Sequence, residues 1–338
     1  MREIGSFFEY PSESDFGSSP AEQKFLEGSE LFASGRDVFA FLGGLLGRRK
    51  MFVPDYFCPH TASFISTYFE IVRYKDTPNE PPILPALCEG CILLAVNTFG
   101  MHSPQRYELG DLRKDVILIE DHSHAPFSKY ARESDADYCM ASLRKTLPLG
   151  SGAYLKSKTA IPRVELTESS EIQDAAFYEA ARKKRSHLAD RLGDKLEFLN
   201  LYNKSESIVE GNNSARAIGS ESGKFLSALN IKKLQKTRAD NFFTFKGRVK
   251  FPLLNGNISD EGSVFNPVLL LESREVRDAL RSHLIEEKIY PPIHWSNLGN
   301  VGISEESKIL SERVLTIPLD HRYSESDAER AVEAVNAF

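Results

Sequence analysis

The sequence has no long hydrophobic run and no excess of basic residues. Its longest apolar stretches, such as residues 91–96 and 116–119, fall far short of the ~20 residues that a membrane-spanning helix needs. The first residues, MREIGSFFEYPSES, include acidic side chains where a signal peptide has its apolar core, so we expect a cytoplasmic protein. The formal net charge of the 338 residues is -6. We therefore expect neither a membrane nor a nucleic acid as a partner.

Cysteine is also scarce, with four residues in the chain: Cys58, Cys88, Cys91 and Cys139. Cys88 and Cys91 have the spacing of half a zinc site or of a redox pair, but no second CxxC and no nearby histidine pair completes such a site. Because Cys91 leads directly into an apolar run, we interpret the pair as reduced thiols at a turn and a strand start, and we predict no metal site.

Short apolar runs alternate with helix-like segments over the first two-thirds of the chain. This alternation predicts an α/β protein with a parallel sheet that is covered by helices. The clearest strands are predicted at residues 51–53, 71–74, 92–96, 116–119 and 138–141. Their continuous apolar character indicates burial on both faces. Apolar residues at helical spacing predict a helix that starts near Arg36.

The last third has a different pattern, which predicts a second domain. Residues 171–200 are expected to form one helix that connects a large domain (1–204) to a small α+β domain (205–338). Within the small domain we predict a loop at 205–223, helices at 226–245 and 273–288, strands at 264–272 and 314–318, and a final helix that is capped near Ser324.

Three local patterns suggest chemistry. Asp121 directly follows an apolar strand, at the edge of a parallel sheet where ligands bind. A buried carboxylate there needs a partner, and a protonated pyridine nitrogen is one, although strand-end aspartates also cap helices or bind metals. Lys145 follows the next strand, beside Arg144, whose charge would favour the neutral, nucleophilic amine; Ser142 could donate to a phosphate. The alternative for Lys145 is an ordinary surface loop.

The third pattern is ASGRD at residues 33–37, which opens a helix. The free N–H groups at a helix start bind phosphate well, and Gly35 would let a ligand approach closely. A plain serine N-cap at Ser34 explains the same pattern. The order of the three patterns, a helix start, a strand-end aspartate and then a lysine, is what pyridoxal phosphate requires on a seven-stranded sheet.

Longer motifs resemble the DegT/DnrJ/EryC1/StrS family of pyridoxal-phosphate-dependent sugar aminotransferases over nearly the whole chain. The similar segments are VPDYFCP at 53–59, IEDHSHA at 119–125, SLRK at 142–145, IYPPIH at 289–294 and LTIPL at 315–319. The resemblance implies fold type I: a large domain with a mostly parallel seven-stranded sheet and a small α+β C-terminal domain. It also implies a homodimer.

The same resemblance implies roles for individual residues. Lys145 would hold pyridoxal 5'-phosphate as a Schiff base, and Asp121 would pair with the ring nitrogen. The other residues implied in cofactor binding are Ser34, Gly35, Arg36, Tyr56, Phe57, His124 and Ser142, with Tyr56 or Phe57 stacked on the ring. His294 and Trp295 are candidates for the substrate entrance. The segment 217–219 stands where the family has a loop that reaches the second subunit.

These expectations predict an aminotransferase that moves an amino group from glutamate to a keto (nucleotide-)sugar. Two alternatives remain open: another pyridoxal-phosphate enzyme acting on an amino sugar or amino acid, and a cofactor-binding sensor without turnover. A nicotinamide dehydrogenase is disfavoured, because the glycine cluster at residues 43–47 lacks GxGxxG spacing and lies in a helix pattern.

Overall fold

The computed structural model describes residues 2–102, 107, 109–165, 167–190, 193–299 and 301–338. Its strands are β1 (Ile4–Gly5), β2 (Glu30–Phe32), β3 (Lys50–Pro54), β4 (Glu70–Tyr74), β5 (Ile92–Val96), β6 (Ile117–Asp121), β7 (Tyr138–Ser142), β8 (Ala153–Ser157), β9 (Val268–Leu270), β10 (Ile289–Tyr290) and β11 (Val314–Thr316). Its α-helices are α1 (Pro20–Leu26), α2 (Gly35–Leu46), α3 (Pro59–Ile65), α4 (Lys129–Arg132), α5 (Glu168–Asp190), α6 (Lys195–Gly211), α7 (Ser220–Ala228), α8 (Ile231–Arg248), α9 (Arg274–Glu286), α10 (Glu305–Arg313) and α11 (Glu325–Ala337). None of these helices has the length and apolarity that crossing a membrane requires.

The central sheet of the described residues has seven strands in the order β2-β8-β7-β6-β5-β3-β4. Strands β3 to β7 run parallel to one another, whereas β8 runs antiparallel to both β7 and β2. The carboxyl ends of β2, β3, β5, β6 and β7 therefore meet at one edge of the sheet. Helix α2 also begins at this edge, because it directly follows β2.

The predicted strands of the sheet are confirmed to within two residues at each end. Successive residues Leu93 and Leu94 are both fully buried and belong to hydrophobic clusters on opposite faces of the sheet, as expected for a strand covered on both sides. Strands β2 and β8 were not predicted. β2 has only three residues, and β8 ends in the polar residues Lys156 and Ser157, so neither has the continuous apolar run of the inner strands.

The single helix predicted at residues 171–200 is wrong, although residues 191–192 lie outside the described part. Helix α5 ends at Asp190 and α6 begins at Lys195, and the two helices pack against each other. Gly193 between them has a φ of 78°, and the Asp194 side chain caps α6 by accepting from the Leu196 amide. A left-handed glycine followed by a cap ends one helix and starts another.

The C-terminal elements enclose a hydrophobic core of their own, which includes Leu269, Leu280, Ile317 and Val332 and also takes in Ile4 from the N-terminal segment. The helices predicted at 273–288 and near the C-terminus are confirmed as α9 and α11, and the strand at 314–318 as β11. The strand at 264–272 shortens to β9. The loop predicted at 205–223 is wrong at both ends, because α6 and α7 extend into it. The single helix predicted at 226–245 is two helices, since α7 ends at Ala228 and α8 begins after its N-cap, Asn230. The predicted domain boundary at 204/205 lies inside α6.

Candidate active site

A cavity of about 140 Å³ lies at the carboxyl edge of the sheet. It is formed by the segments that follow β2, β3, β5, β6 and β7. Most of the residues predicted from the sequence are among its walls: Ser34, Gly35, Arg36, Phe57, Asp121, His124, Ser142, Lys145 and Trp295. The fold thus brings together side chains that are separated by more than a hundred positions in the chain.

Asp121 is the last residue of β6, and its carboxylate is one wall of this cavity. The residue is 5% exposed. Its Oδ1 accepts a hydrogen bond from the Ser123 amide at 2.8 Å, but no ion pair to Asp121 occurs among the described residues. Because an unpaired buried carboxylate is costly, this position calls for a cationic ligand in the cavity.

Lys145 ends a short 3-10 helix directly after β7. The residue is exposed, lines the cavity, and makes no hydrogen bond or ion pair with the described residues. Its neighbour Arg144 forms an ion pair with Glu206 of α6. Because Lys145 itself has no partner among the described residues, its amine is available to a ligand in the cavity.

The start of α2 faces the same cavity through Ser34, Gly35 and Arg36. Ser34 is the N-cap: its Oγ donates to Asp37 Oδ2 at 2.5 Å and accepts from the Asp37 amide at 3.4 Å. The free N–H groups of the first turn make this end of α2 suited to an anion such as phosphate. Arg36 points partly away, because its guanidinium lies 5.4 Å from the centre of the Phe64 ring.

An ion pair that the sequence did not reveal supports the start of α2. Arg216 donates to both oxygens of Asp37, from Nε at 2.8 Å and from Nη2 at 3.2 Å. Both residues are 1% exposed. The backbone of Arg216 also accepts a hydrogen bond from the Ala33 amide at 2.9 Å. One residue therefore fixes both the segment that enters α2 and the first turn of the helix.

His124 is a buried residue of the cavity wall, and its ring lies near those of Phe265 and Trp295. Its Nδ1 accepts a hydrogen bond from the Phe99 amide at 3.1 Å, so Nε2 carries the proton and can donate. Burial lowers the pKa of His124 well below its usual value, and the charge of Lys145 lowers it further. The ring stacks on Phe265, with centroids 4.3 Å apart. His124 is therefore a fixed, neutral hydrogen-bond donor.

The structure separates the two aromatic residues predicted to stack on a cofactor. Phe57 lines the cavity, together with Cys58 and Thr61. Tyr56 does not: it is fully buried, its hydroxyl donates to the His294 carbonyl, and its ring packs on Trp295 at 5.4 Å. Of the two residues, Phe57 is therefore the one at the cavity wall, whereas the Tyr56 side chain packs between the cavity and the C-terminal elements.

A second cavity of about 800 Å³ adjoins the first and shares Cys58, Thr61, His124, Lys145 and Trp295 with it. His294 lines this larger space, and its Nδ1 contacts Thr316 Oγ1 at 2.9 Å. Burial lowers the pKa of His294 to about 4, with a further contribution from Lys145. Both residues predicted at the substrate entrance, His294 and Trp295, thus lie next to Lys145.

Behind Asp121, on the other face of β6, lies a buried polar cluster of Glu120, His122 and Cys139. Their potential ligand atoms lie within 4.8 Å of one another. His122 Nε2 is 3.1 Å from Glu120 Oε2, and its Nδ1 is 3.4 Å from the Asn97 amide nitrogen, which can only donate. Burial lowers the pKa of His122, but Cys139 and Glu120 raise it, and the result is a pKa of about 10. His122 and Glu120 therefore form a buried hydrogen-bonded pair beside Cys139.

The segment at 217–219 packs against its own chain. Ala217 bridges to Phe32, the Ile218 amide donates to the Leu31 carbonyl at 3.2 Å, and the Gly219 amide donates to Ser151 Oγ at 2.8 Å. A Cβ at Gly219 would lie 2.2 Å from Asp174 Oδ2, so any larger residue would have to displace the Asp174 side chain. The close approach to Asp174 gives a packing reason for the glycine at this position.

No protein-family model matches the sequence, and no curated protein matches it either. Solved structures do match its fold. The apo form of Spr1654 from Streptococcus pneumoniae, described as a candidate sugar aminotransferase, has a TM-score of 0.69 at 13% identity and covers 99% of this chain and 97% of its own. Structures of Spr1654 in PLP and PMP forms also match, with TM-scores of 0.68 and 0.66.

Two further structures give the same result. Helicobacter pylori PseC, an aminotransferase involved in the biosynthesis of pseudoaminic acid, has a TM-score of 0.64 at 14% identity, with 100% of both chains covered. A DegT DnrJ EryC1 StrS aminotransferase from Brucella abortus has a TM-score of 0.55 at 16% identity and covers 96% of this chain and 92% of its own. The predicted fold is therefore confirmed: this chain has the fold of the fold-type I aminotransferases.

Proposed function

We propose that the protein is a pyridoxal-phosphate-dependent aminotransferase of the DegT/DnrJ/EryC1/StrS type. It would transfer an amino group from glutamate to a keto (nucleotide-)sugar, as a cytoplasmic homodimer. The observation that carries the proposal is the cavity that Asp121 and Lys145 share beside the start of α2. Among the described residues, the buried carboxylate of Asp121 has no ion pair and the amine of Lys145 has no partner.

The residues of the cavity fit the cofactor group by group. Asp121 would accept a hydrogen bond from the protonated ring nitrogen, and this cation would be the partner that its buried carboxylate needs. The first turn of α2, with Ser34, Gly35 and Arg36, would hold the phosphate together with the hydroxyl of Ser142. The Nε2–H group of His124 would donate a hydrogen bond to the phenolic oxygen of the cofactor, and Phe57 would cover one face of the ring.

When bound, pyridoxal phosphate supplies an electron sink for a carbanion at the carbon that carries the amino group. Lys145 would attach the cofactor and, once displaced from it by the substrate, move the proton on that carbon as a general base. Asp121 would keep the ring nitrogen protonated throughout. His294, neutral above its lowered pKa, and Trp295 would shape the substrate entrance next to the lysine.

The size of the second cavity supports a substrate larger than an amino acid. At about 800 Å³ it approaches the upper end of typical small-molecule sites. The names of the structural neighbours point the same way, since Spr1654 and PseC are associated with sugar amination. A keto sugar with a further group attached would use the space beyond Lys145.

Lys145→Ala tests the proposal directly. The purified protein should bind pyridoxal phosphate with a visible absorbance band, glutamate should convert that band to the amine form, and Lys145→Ala should lose both effects. Lys183→Ala, on the solvent-exposed side of α5, is the matched control and should behave as wild type. Cofactor that borohydride still fixes to Lys145→Ala would contradict the assignment.

The same absorbance band distinguishes the alternative functions. Conversion of the band by a different amino donor would favour another pyridoxal-phosphate enzyme, and a band that no amino donor converts would favour a sensor.

A further inference from the structure

The second cavity carries more positive than negative charge. Its cationic lining residues are Lys145, Lys184, Lys195, Arg281 and Arg322, and its carboxylates are Glu3 and Asp320. Both carboxylates are already paired, Glu3 with Lys195 at 3.0 Å and Asp320 with Arg322 at 2.7 Å. Since the whole chain has a net charge of -6, this surplus is a local property of the cavity.

Lys184 is the least expected of these cations. It is 4% exposed, and its ammonium donates to the Phe7 carbonyl and lies 4.7 Å from the centre of the Phe7 ring. Within the described residues it has no ion pair. An ammonium this deeply buried is normally paired with a carboxylate, because the loss of water around the charge is costly. Two of its three N–H donors have no partner that the structure records.

Arg281 is a second unpaired cation, at the exposed rim of the same cavity. Its Nε donates to the Pro291 carbonyl at 3.2 Å, and no carboxylate of the described residues lies within ion-pair distance. The other guanidinium N–H groups can therefore contact a ligand. Lys184 and Arg281 reach the cavity from different elements, α5 and α9, so one ligand can contact both only from within the cavity.

We propose that the second cavity binds an anionic group of the substrate, a phosphate or a carboxylate, with Lys184 as the buried contact and Arg281 at the rim. The identification of the ligand as the substrate rests on the function proposed above. The anion would be the negatively charged partner that Lys184 lacks among the described residues. Its contact with Lys184 would hold the remote part of the substrate while the reacting carbon lies at Lys145. Such binding away from the reacting atoms helps to orient a substrate.

Titration calorimetry of the cofactor-loaded protein tests this subsite with two probes, inorganic pyrophosphate for phosphate and succinate for carboxylate. Loss of one hydrogen bond to a charged group corresponds to about a tenfold loss of affinity or more. We expect this loss in Lys184→Met and in Arg281→Met for the probe that matches the substrate. Lys183→Met removes a neighbouring lysine from the surface of α5, where it pairs with Glu197, and should bind like wild type.

Proton uptake gives a second measurement that does not rely on comparing affinities. Burial lowers the pKa of Lys184 to about 7 and Arg322 lowers it further, whereas Glu9, Asp320 and Glu3 raise it. An anion beside Lys184 should therefore draw a proton onto the amine near pH 7.5. Calorimetry in buffers of different ionisation enthalpy should detect this uptake in wild type and not in Lys184→Met.

Unchanged affinity of both probes in Lys184→Met, or no binding of either probe to wild type, would overturn the proposal. Its failure is separable from failure of the proposed function, which the absorbance of the cofactor at Lys145 reports independently. If the protein does not take up pyridoxal phosphate, the same titrations on the protein as purified still decide whether Lys184 binds an anion.

Discussion

The buried pair of Asp37 and Arg216 should be the most sensitive support of the cavity. Arg216→Met keeps an unbranched stem but removes the guanidinium. It thereby removes two of the four hydrogen bonds that Asp37 accepts from side chains and leaves those from Ser34 at 2.5 Å and Asn212 at 3.1 Å. Both residues are 1% exposed, so the carboxylate cannot regain water. Removing one partner of such a pair costs about 3–5 kcal/mol of unfolding free energy.

Urea unfolding of wild type and variants measures this cost. Lys236→Met, which breaks an exposed pair with Asp240 on α8, is the control and should cost about 0–1 kcal/mol. Asp37→Asn/Arg216→Met removes both charges and should regain part of the loss, because no buried charge is then left alone. The reasoning would be refuted if Arg216→Met cost no more than Lys236→Met. Affinity for pyridoxal phosphate should fall along with stability, since the same pair fixes the first turn of α2.

Two further predictions concern packing and pH. Gly219→Ala should destabilise the protein by about 1–3 kcal/mol, because the new Cβ would lie 2.2 Å from Asp174 Oδ2. Gly223→Ala on α7, where the nearest atom would be 3.9 Å away, is the control and should be neutral or stabilising; equal losses in both variants would contradict the steric argument. Folding lowers the pKa of His294 from its ordinary value of 6.5 to about 4. As the pH drops from about 6.5 to about 4, the unfolded chain therefore binds the proton of His294 before the folded chain does, and the unfolding free energy should fall. The contribution approaches about 1.4 kcal/mol per pH unit, and His294→Gln should reduce the slope of stability against pH in that range. An unchanged slope would show that folding does not lower the pKa of His294.

The parts of the fold that could be predicted from sequence are those that local patterns encode. The inner strands β5, β6 and β7 contain apolar runs. Asp121 at the end of β6 and Lys145 shortly after β7 fall at one edge because parallel strands share their direction. The start of α2 was recognisable from its serine and glycine. These three features alone locate the cavity, and the structure brings them together as expected.

The remainder depends on contacts between distant segments, which no local pattern reveals. Arg216 is an ordinary residue of a polar stretch until folding places it 2.8 Å from Asp37. Tyr56 and Phe57 are adjacent aromatic residues, and only the tertiary structure decides which one faces the cavity. The helix break at Gly193 was missed because leucines recur at helical spacing across it, at positions 188, 192, 196 and 199, which masked the stop and cap signal of Gly193 and Asp194. The charge surplus around Lys184 arises from segments that meet only in the folded chain.

The attachment of pyridoxal phosphate to one particular lysine is the central claim, and reduction with borohydride followed by peptide mass spectrometry tests it most directly. The cavity that joins Lys145 to Asp121 predicts a reduced phosphopyridoxyl group on Lys145, and none in Lys145→Ala. Lys184, which lines the adjoining cavity, is the internal comparison and should remain unmodified. Modification of Lys184 in place of Lys145, or no modification of either lysine, would contradict the claim.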